Sequence, residues 1–296
     1  MKGLKLRLII LVILLLGAVF SVYAAWREER EGILTVAFLD VGQGDAIYIE
    51  APSGNQVLID AAPNKIILRE LSKVMPFYDR SIDVVLATHA DQDHVGGLPD
   101  VLKKYKVNIF MEPGVPGPSS SYEEAEKIAA DDGIKKILAR RGMNVDLGDG
   151  VVLQILFPDR DPTGMETNTA SIVVRLVYGE NEFLLTGDSP VAIERYLVSL
   201  ESQSRTFGTG AVQSPTLASD VLKAGHHGSK TSTSQEFVSA VSPQYAVISV
   251  GKDNRYGHPN QETLDTLNNF DAKILRTDLL GRIIFKSDGL TLKKTK

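Results

Sequence analysis

Four side chains able to hold a metal ion fall within six residues in His89-Ala90-Asp91-Gln92-Asp93-His94. They lie between an apolar run, Ile82 to Ala87, and the pair Gly96-Gly97. A strand that ends in a polar loop and passes into a helix aims several side chains at one point just beyond a sheet edge. Strand alternation sends His89, Asp91 and Asp93 one way, and a turn at Asp93-His94 brings the second imidazole round. Imidazole and carboxylate together suit borderline divalent cations such as zinc, manganese or iron. The competing reading is a polar turn with two incidental histidines. The chain has five histidines, all in this loop or in two further polar loops, so none is left for a core or a scattered surface position. A metal reading of this chain needs a fold that brings those loops together.

At 296 residues the chain can build one large domain or two ordinary ones. Hydrophobic content of 43% with 23% charged residues belongs to a globular protein. The absence of cysteine excludes disulfides and thiolate sites, and it suits an oxidising compartment. Met1 to Arg7 carries Lys2, Lys5 and Arg7, Leu8 to Trp26 is free of charge, and Arg27-Glu28-Glu29-Arg30 ends the run. Nineteen apolar or small residues suffice to cross a bilayer as a helix, with the basic flank cytoplasmic and the remainder outside. Val22-Tyr23-Ala24 also reads as a small-residue cleavage site. Residues 1–26 are thus expected to be a signal anchor or a cleaved signal peptide, with a buried core helix as the plain alternative. Without them the formal net charge of −5 is more negative by three. An acidic exported domain offers no broad nucleic-acid surface, and bound metal would neutralise part of the excess.

Ile33 to Leu39, Ala46 to Glu50 and Gln56 to Ile59 read as strands joined by tight turns, hence an antiparallel start to a sheet. Asp60 closes the third, where a carboxylate can orient a ligand histidine or cap a helix. The pattern then predicts a helix over Ile66 to Val74, a buried strand over Ile82 to Ala87 and a helix over Gly97 to Tyr105. A strand over Val107 to Met111 and one long charged helix over Tyr122 to Arg141 follow. In the second half, strands are predicted over Val151 to Phe157, Ala170 to Tyr178, Glu182 to Thr186, Val221 to Ala224 and Tyr245 to Val250. Helices are predicted from Pro190 to about Leu200, over Phe237 to Val241 and over Gln261 to Asn268. Strands near 273–276 and 282–286 finish the chain, and residues 201–219, rich in Ser, Thr and Gly, are expected to form a mobile insertion or lid. Asp60, residues 89–94, Asp188, residues 226–230 and residues 254–258 each follow an apolar strand. Loops at one end of a sheet pair can converge there.

Asp60 after a strand, His89-x-Asp91-x-Asp93-His94, Gly187-Asp188 after a hairpin and His226-His227 resemble the ordered motifs of the metallo-β-lactamase superfamily over nearly all of residues 33–293. More narrowly, five segments resemble the hydrolase domain of the ComEC competence family. They are Leu39-Asp40-Val41-Gly42-Gln43-Gly44-Asp45-Ala46, the 89–97 loop, Leu185-Thr186-Gly187-Asp188, Leu222-Lys223-Ala224-Gly225-His226-His227-Gly228-Ser229 and Tyr256-Gly257-His258-Pro259. That family's multi-span channel has no counterpart beside the one apolar segment here. The chain reads as a stand-alone relative, for which a role in DNA uptake does not follow.

The resemblance implies an α/β (α+β) fold, the four-layer αββα sandwich, over residues 33–293, with a metal pair at one edge. By motif position it implies His89 and Asp91 on the first metal, Asp93 and His94 on the second, and Asp188 bridging. The His226-His227 pair would complete the second site, with His227, which precedes Gly228, the preferred ligand and His226 then facing substrate or supporting a ligand. Two departures matter. The family's His-x-His becomes His89-x-Asp91, and the separate histidine before the bridging aspartate is missing, with Asn168 standing near its place. An oxygen-rich first site is weaker or partly occupied, favours manganese over tight zinc and argues against β-lactamase activity.

The expected cofactors are therefore two divalent ions, manganese or zinc, roughly 3.5–4 Å apart, which activate a shared hydroxide for in-line attack on a phosphodiester. Asp93 and Asp188 would serve that chemistry. Lys230 or His258 would offset charge on phosphate, or His258 would protonate the leaving oxygen; Lys230 reads equally well as a surface lysine. Ser229, Asn254 and Tyr256 are substrate contacts or loop structure, and Asp45 supports a ligand or meets substrate. No Gly-x-Ser-x-Gly elbow or Walker loop is present, so serine-hydrolase and NTPase readings find no support. The leading expectation is an exported, membrane-tethered, metal-dependent phosphodiesterase, with single-stranded or extracellular DNA as one substrate and no obligate protein partner. A hydrolase of a cell-envelope phosphodiester or small ester comes second. A non-catalytic surface binding domain comes third, and intact candidate ligands in four separate motifs argue against it.

Overall fold

The computed structural model describes residues 2–28, 32–207 and 216–295. The uncharged N-terminal run lies in a helix, α1 (Lys2–Glu28). Among the described residues no helix is long and apolar enough to cross a membrane, so a spanning role for residues 8–26 is not shown. The side chains of the cleavage-like Val22-Tyr23-Ala24 lie outside the described ones.

Short apolar runs cut by tight turns give β1 (Leu34–Phe38), β2 (Ile47–Glu50) and β3 (Gln56–Ile59), paired antiparallel as the turns predict. After α2 (Ile66–Leu71), β4 (Ser81–Leu86) runs parallel to β3. Next come α3 (Gln92–Val95) and α4 (Leu98–Lys104), then β5 (Lys106–Glu112), α5 (Ser120–Asp131) and β6 (Lys135–Leu138), both strands parallel to their neighbours. The long helix expected over 122–141 is thus a shorter helix, a turn and an edge strand. Gly133, at φ 67°, takes the left-handed turn that stops α5. Lys135 and Lys136 then lie exposed on the outermost strand, where lysines discourage edge-to-edge pairing.

The second sheet opens with a strand that the sequence reading did not predict, β7 (Asn144–Gly148), followed by β8 (Val151–Phe157), β9 (Val173–Tyr178) and β10 (Asn181–Leu185), all antiparallel. Then α6 (Val191–Phe207), β11 (Val221–Lys223), α7 (Gln235–Val241), β12 (Tyr245–Ile248), α8 (Gln261–Asn269) and β13 (Lys273–Arg276) alternate, with parallel strands. α6 continues past Leu200 into the expected insertion, whose residues 208–215 lie outside the described ones. After α9 (Thr277–Leu280), β14 (Ile283–Ser287) returns to the first sheet beside β1, and β15 (Leu292–Lys294) closes it. The sheet orders are β15-β14-β1-β2-β3-β4-β5-β6 and β13-β12-β11-β10-β9-β8-β7.

Both inner faces are apolar, so the sheets pack on each other. Phe38, Phe183 and Tyr245 surround Phe285 edge-on, at ring separations of 6.2, 5.9 and 5.3 Å. Each such burial is worth about 1.5–3 kcal/mol. A second cluster packs α2, α4 and α5 on the outer face of the first sheet, and a third packs α6, α7 and α8 on that of the second. The result is helix, sheet, sheet, helix. The carboxyl ends of β1, β3 and β4, and those of β10, β11 and β12, meet at one edge of this sandwich, where parallel strands leave a crevice between their following loops.

Candidate metal centre

Asp60 ends β3 and is 1% exposed. Its Oδ1 accepts the Thr88 N–H at 2.7 Å, and its Oδ2 accepts the Thr88 hydroxyl at 2.7 Å. The same Oδ2 lies 2.7 Å from His94 Nδ1, and Thr88 Oγ1 lies 3.0 Å from His89 Nδ1. Because the hydroxyl proton goes to Asp60, Thr88 Oγ1 must accept from His89, which places the proton on Nδ1 and leaves the lone pair on Nε2. His227 is held in the same way, with its Nδ1 donating to the Ser249 carbonyl at 2.9 Å. Three histidines from two loops are thus anchored through Nδ1 and turn Nε2 inward.

The inward atoms converge on Asp188, which β10 and Gly187 deliver. Asp188 Oδ2 is 3.3 Å from His94 Nε2 and 3.6 Å from both His226 Nε2 and His227 Nε2. Asp93 Oδ2 is 3.3 Å from His227 Nε2, and Asp91 Oδ2 is 3.8 Å from His89 Nε2. Ligand atoms of His89, His94 and Asp188 lie within 4.8 Å of one another, and so do those of Asp93, His94 and His227 and those of Asp45, Asp188 and His227. Among the described residues, His89 Nε2 and His94 Nε2 are buried without a hydrogen bond of good geometry. Buried polar atoms are normally paired, and two bare imidazole nitrogens beside carboxylate oxygens match the donor set of a divalent cation. The residues present fit such an ion.

The electrostatics agree with that donor set. Burial drives the His89 imidazole down to about 3, so it is neutral at ordinary pH. Burial pulls on His94 and His227 too, but Asp188, with Asp60 for one and Asp45 and Asp93 for the other, overrides it. His94 is held well above the usual range and His227 is raised to about 9. Asp93 works against burial and falls to about 2 through His227 and His94. Burial pushes Asp60 and Asp91 up. Without metal, protons on His94 and His227 offset the carboxylates that a cation would offset.

The close approach of loops needs glycine at two points. A Cβ on Gly44 would lie 2.2 Å from the Asp93 carbonyl oxygen, and one on Gly97 would lie 2.2 Å from that of Ala61. His226 and His227 both take left-handed φ, 48° and 53°, so consecutive imidazoles address the same carboxylate.

Not every expected side chain reaches this cluster. The Asn168 Oδ1 is buried without a hydrogen-bond partner among the described residues, and the neighbouring Thr167 side chain bonds to Asp91, so this loop stands at the oxygen-rich end. His226 is part-exposed at the rim, with its Nδ1 3.2 Å from Thr231 Oγ1. The His258 ring is 5.8 Å from that of His226 and stacks under the exposed Tyr256 ring. Burial, with His227 and His226, lowers His258 below the usual imidazole range. Ser229 Oγ pairs with Thr231 Oγ1 at 3.0 Å.

At two positions the structure shows the plainer of the two readings the sequence left open. Asn254 spends its side chain on its own loop: its amide donates to the Gly251 and His258 carbonyls, and its Oδ1 accepts the Tyr256 and His258 N–H groups. These bonds hold the loop that carries His258. Lys230 is exposed and lines a cavity of about 560 Å³ with Arg195, Glu236, Glu262 and Asp265, none of which belongs to the cluster. The lysine that does reach the carboxylates is Lys223, which the sequence reading quoted in a motif without giving it a role. It is fully buried and pairs with Asp45. Thr88 and Ser249, the anchors of two imidazoles, were likewise missed, because nothing in a linear pattern distinguishes a hydroxyl or a carbonyl that faces a ligand.

The profile of the Metallo-beta-lactamase superfamily matches residues 39–252. ComE operon protein 3 of Bacillus subtilis (strain 168) is 31% identical over 282 residues, 90% of this chain and 34% of that protein. Competence protein ComA of Neisseria gonorrhoeae is 31% identical over 277 residues, 92% of this chain and 35% of that protein. The chain spans about a third of the length of these curated relatives. Among solved structures, the metallo-beta-lactamase fold protein YhfI from Bacillus subtilis matches with a TM-score of 0.55 at 10% identity, over 86% of this chain and 100% of that one. CmlA, a diiron beta-hydroxylase from Streptomyces venezuelae, matches with a TM-score of 0.54 at 14% identity, over 85% of this chain and 53% of that one. At these identities the likeness is one of fold.

Proposed function

We propose that this chain, which belongs to the metallo-beta-lactamase superfamily, is a metal-dependent phosphodiesterase acting on single-stranded DNA outside the cytoplasm. The observation that carries the reading is the convergence of the inward Nε2 atoms of His89, His94 and His227 on Asp188, with Asp93 beside them. The names of two relatives, Competence protein ComA of Neisseria gonorrhoeae and Recombination protein 2 of Haemophilus influenzae, favour DNA as the anionic ester.

In this reading His89, Asp91, Asp93, His94, Asp188 and His227 hold two divalent ions, manganese or zinc, with the site that includes Asp91 the weaker. Such a pair supplies an acidified water as nucleophile and positive charge for the phosphoryl oxygens. The chain supplies geometry. Asp60 and Thr88 fix the two imidazoles of the central loop, and Ser249 fixes the third. His258, at the rim with its ring 5.8 Å from that of His226, offsets charge on the phosphate or protonates the leaving oxygen, and His226 faces the bound ester. The apolar run of α1 tethers the domain to a membrane, its basic end in the cytoplasm. No obligate protein partner is invoked.

The second reading, a cell-envelope phosphodiester or small ester, is favoured by the negative net charge. One assay separates the two. Fluorescent single-stranded DNA is offered to the purified full chain without metal, with manganese and with zinc, beside an Asp188→Ala control. Manganese-dependent cleavage that the control loses is the expected result. No cleavage by a protein that still binds metal tightly overturns the DNA reading and favours the envelope ester.

A further inference from the structure

We infer that Lys223 is a positioning residue that presents a single oxygen of Asp188 to the metal centre and locks the two halves of that centre together; this rests on the metal reading above. Lys223 ends β11, a middle strand of the second sheet, and is 0% exposed. An ammonium has three donors, and three acceptors surround this one. It donates to the Gly187 carbonyl at 2.8 Å, pairs with Asp45 Oδ2 and lies 3.5 Å from Asp188 Oδ1. The two oxygens of Asp188 therefore differ. Oδ1 faces the ammonium, while Oδ2 faces the Nε2 atoms of His94, His226 and His227 at 3.3 to 3.6 Å. A carboxylate free to rotate could offer both oxygens to one ion; this one is held in an orientation that offers one.

The same ammonium ties the sheets together. Asp45 comes from the loop after β1, in the first sheet, and its backbone N–H bonds the Asp93 carbonyl at 3.2 Å. Asp45 Oδ1 also lies 3.5 Å from His227 Nδ1. Lys223 and Asp188 come from the second sheet. The chain from Asp93 through Asp45 and Lys223 to Asp188 thus sets the distance between ligands that arrive on different layers. An apolar side chain would fill a buried strand at lower desolvation cost, and replacing a buried ion pair with apolar groups is often neutral for stability. A purely structural pair has no need of Asp188, whereas a positioning one does.

The test uses the full chain with its metal stripped and then returned. Asp45→Asn combined with Lys223→Met removes the pair without stranding a charge. Lys223→Arg keeps the charge but presents a planar fork to acceptors arranged around an ammonium. Apo melting temperature reports folding, and manganese titration followed by calorimetry reports affinity and stoichiometry. The expected result is that each variant that folds binds manganese about 10–100-fold more weakly than the wild type. Wild-type affinity and stoichiometry in any folded variant overturn the positioning role and leave the metal reading intact. A wild-type chain that binds no manganese overturns the metal reading, and this inference with it.

Discussion

Asp60 reaches two imidazoles, His94 directly and His89 through the Thr88 hydroxyl, and that arrangement sets the character of the site at the scale of single residues. Removing the carboxylate by Asp60→Ala frees the rings of His94 and His89 to turn. Such supporting contacts are worth about 10–100-fold in metal affinity, and calorimetric titration of the variant should show a loss of that size while Asp188 and His227 remain in place. Protonation gives a second prediction. His94 and His227 are raised by the acids around them and must lose their protons to take a cation, so metal affinity should increase between pH 6 and 9, with proton release visible in buffers of different ionisation enthalpy. The sign for the metal-free protein is opposite. A histidine raised from 6.5 to about 9 contributes stability that is full below 6.5 and is lost as pH rises to about 9. Apo melting temperature should fall across that window while the gain from added metal grows. The candidate ligands that the fold brings together were legible in the sequence because four of them cluster within six positions and the others follow strands. Lys223 was not, because a lysine at a strand end reads as a solvent-facing terminus until the opposite sheet brings Asp45 against it.

At the scale of elements, the sandwich carries the site without taking part in it. Phe285 on β14 is packed by rings from both sheets, and none of its ring partners is a candidate ligand. Phe285→Ala should cost about 3–5 kcal/mol in chemical denaturation, yet manganese affinity of the folded fraction should stay within about threefold. A parallel loss of affinity would mean that the inner core sets the ligand geometry. Most strands were legible, since each is an apolar run bounded by turn residues. The error over 122–141 came from reading continuous charge as one helix. Gly133 was the available stop signal, and the strand after it pairs with β5 on an edge, where strands can carry lysine. β7 went unseen because its alternation is broken by polar residues on another edge.

For the whole molecule, charge decides what kind of substrate contact is available. A net charge of −5 suits an enzyme that grips an ester locally, at the site. If single-stranded DNA is the substrate, log KM against log salt should have a slope of about 0.7 to 1.4, as for one or two phosphates, well below that of an extended basic groove. A steep slope would place much of the binding on lysines and arginines away from the centre. The arrangement of layers was foreseeable from the repeated strand–helix plan and the family resemblance, but the joining of the sheets at Asp45 and Lys223 was not. The most direct test of the central claim is hydrolysis of bis(p-nitrophenyl) phosphate by the full chain, stripped with chelator, reloaded with manganese or zinc, and compared with Asp188→Ala. The account predicts no turnover when stripped, recovery on reloading and none in the variant. Turnover that survives stripping, or a loaded protein that leaves the ester intact, would contradict it.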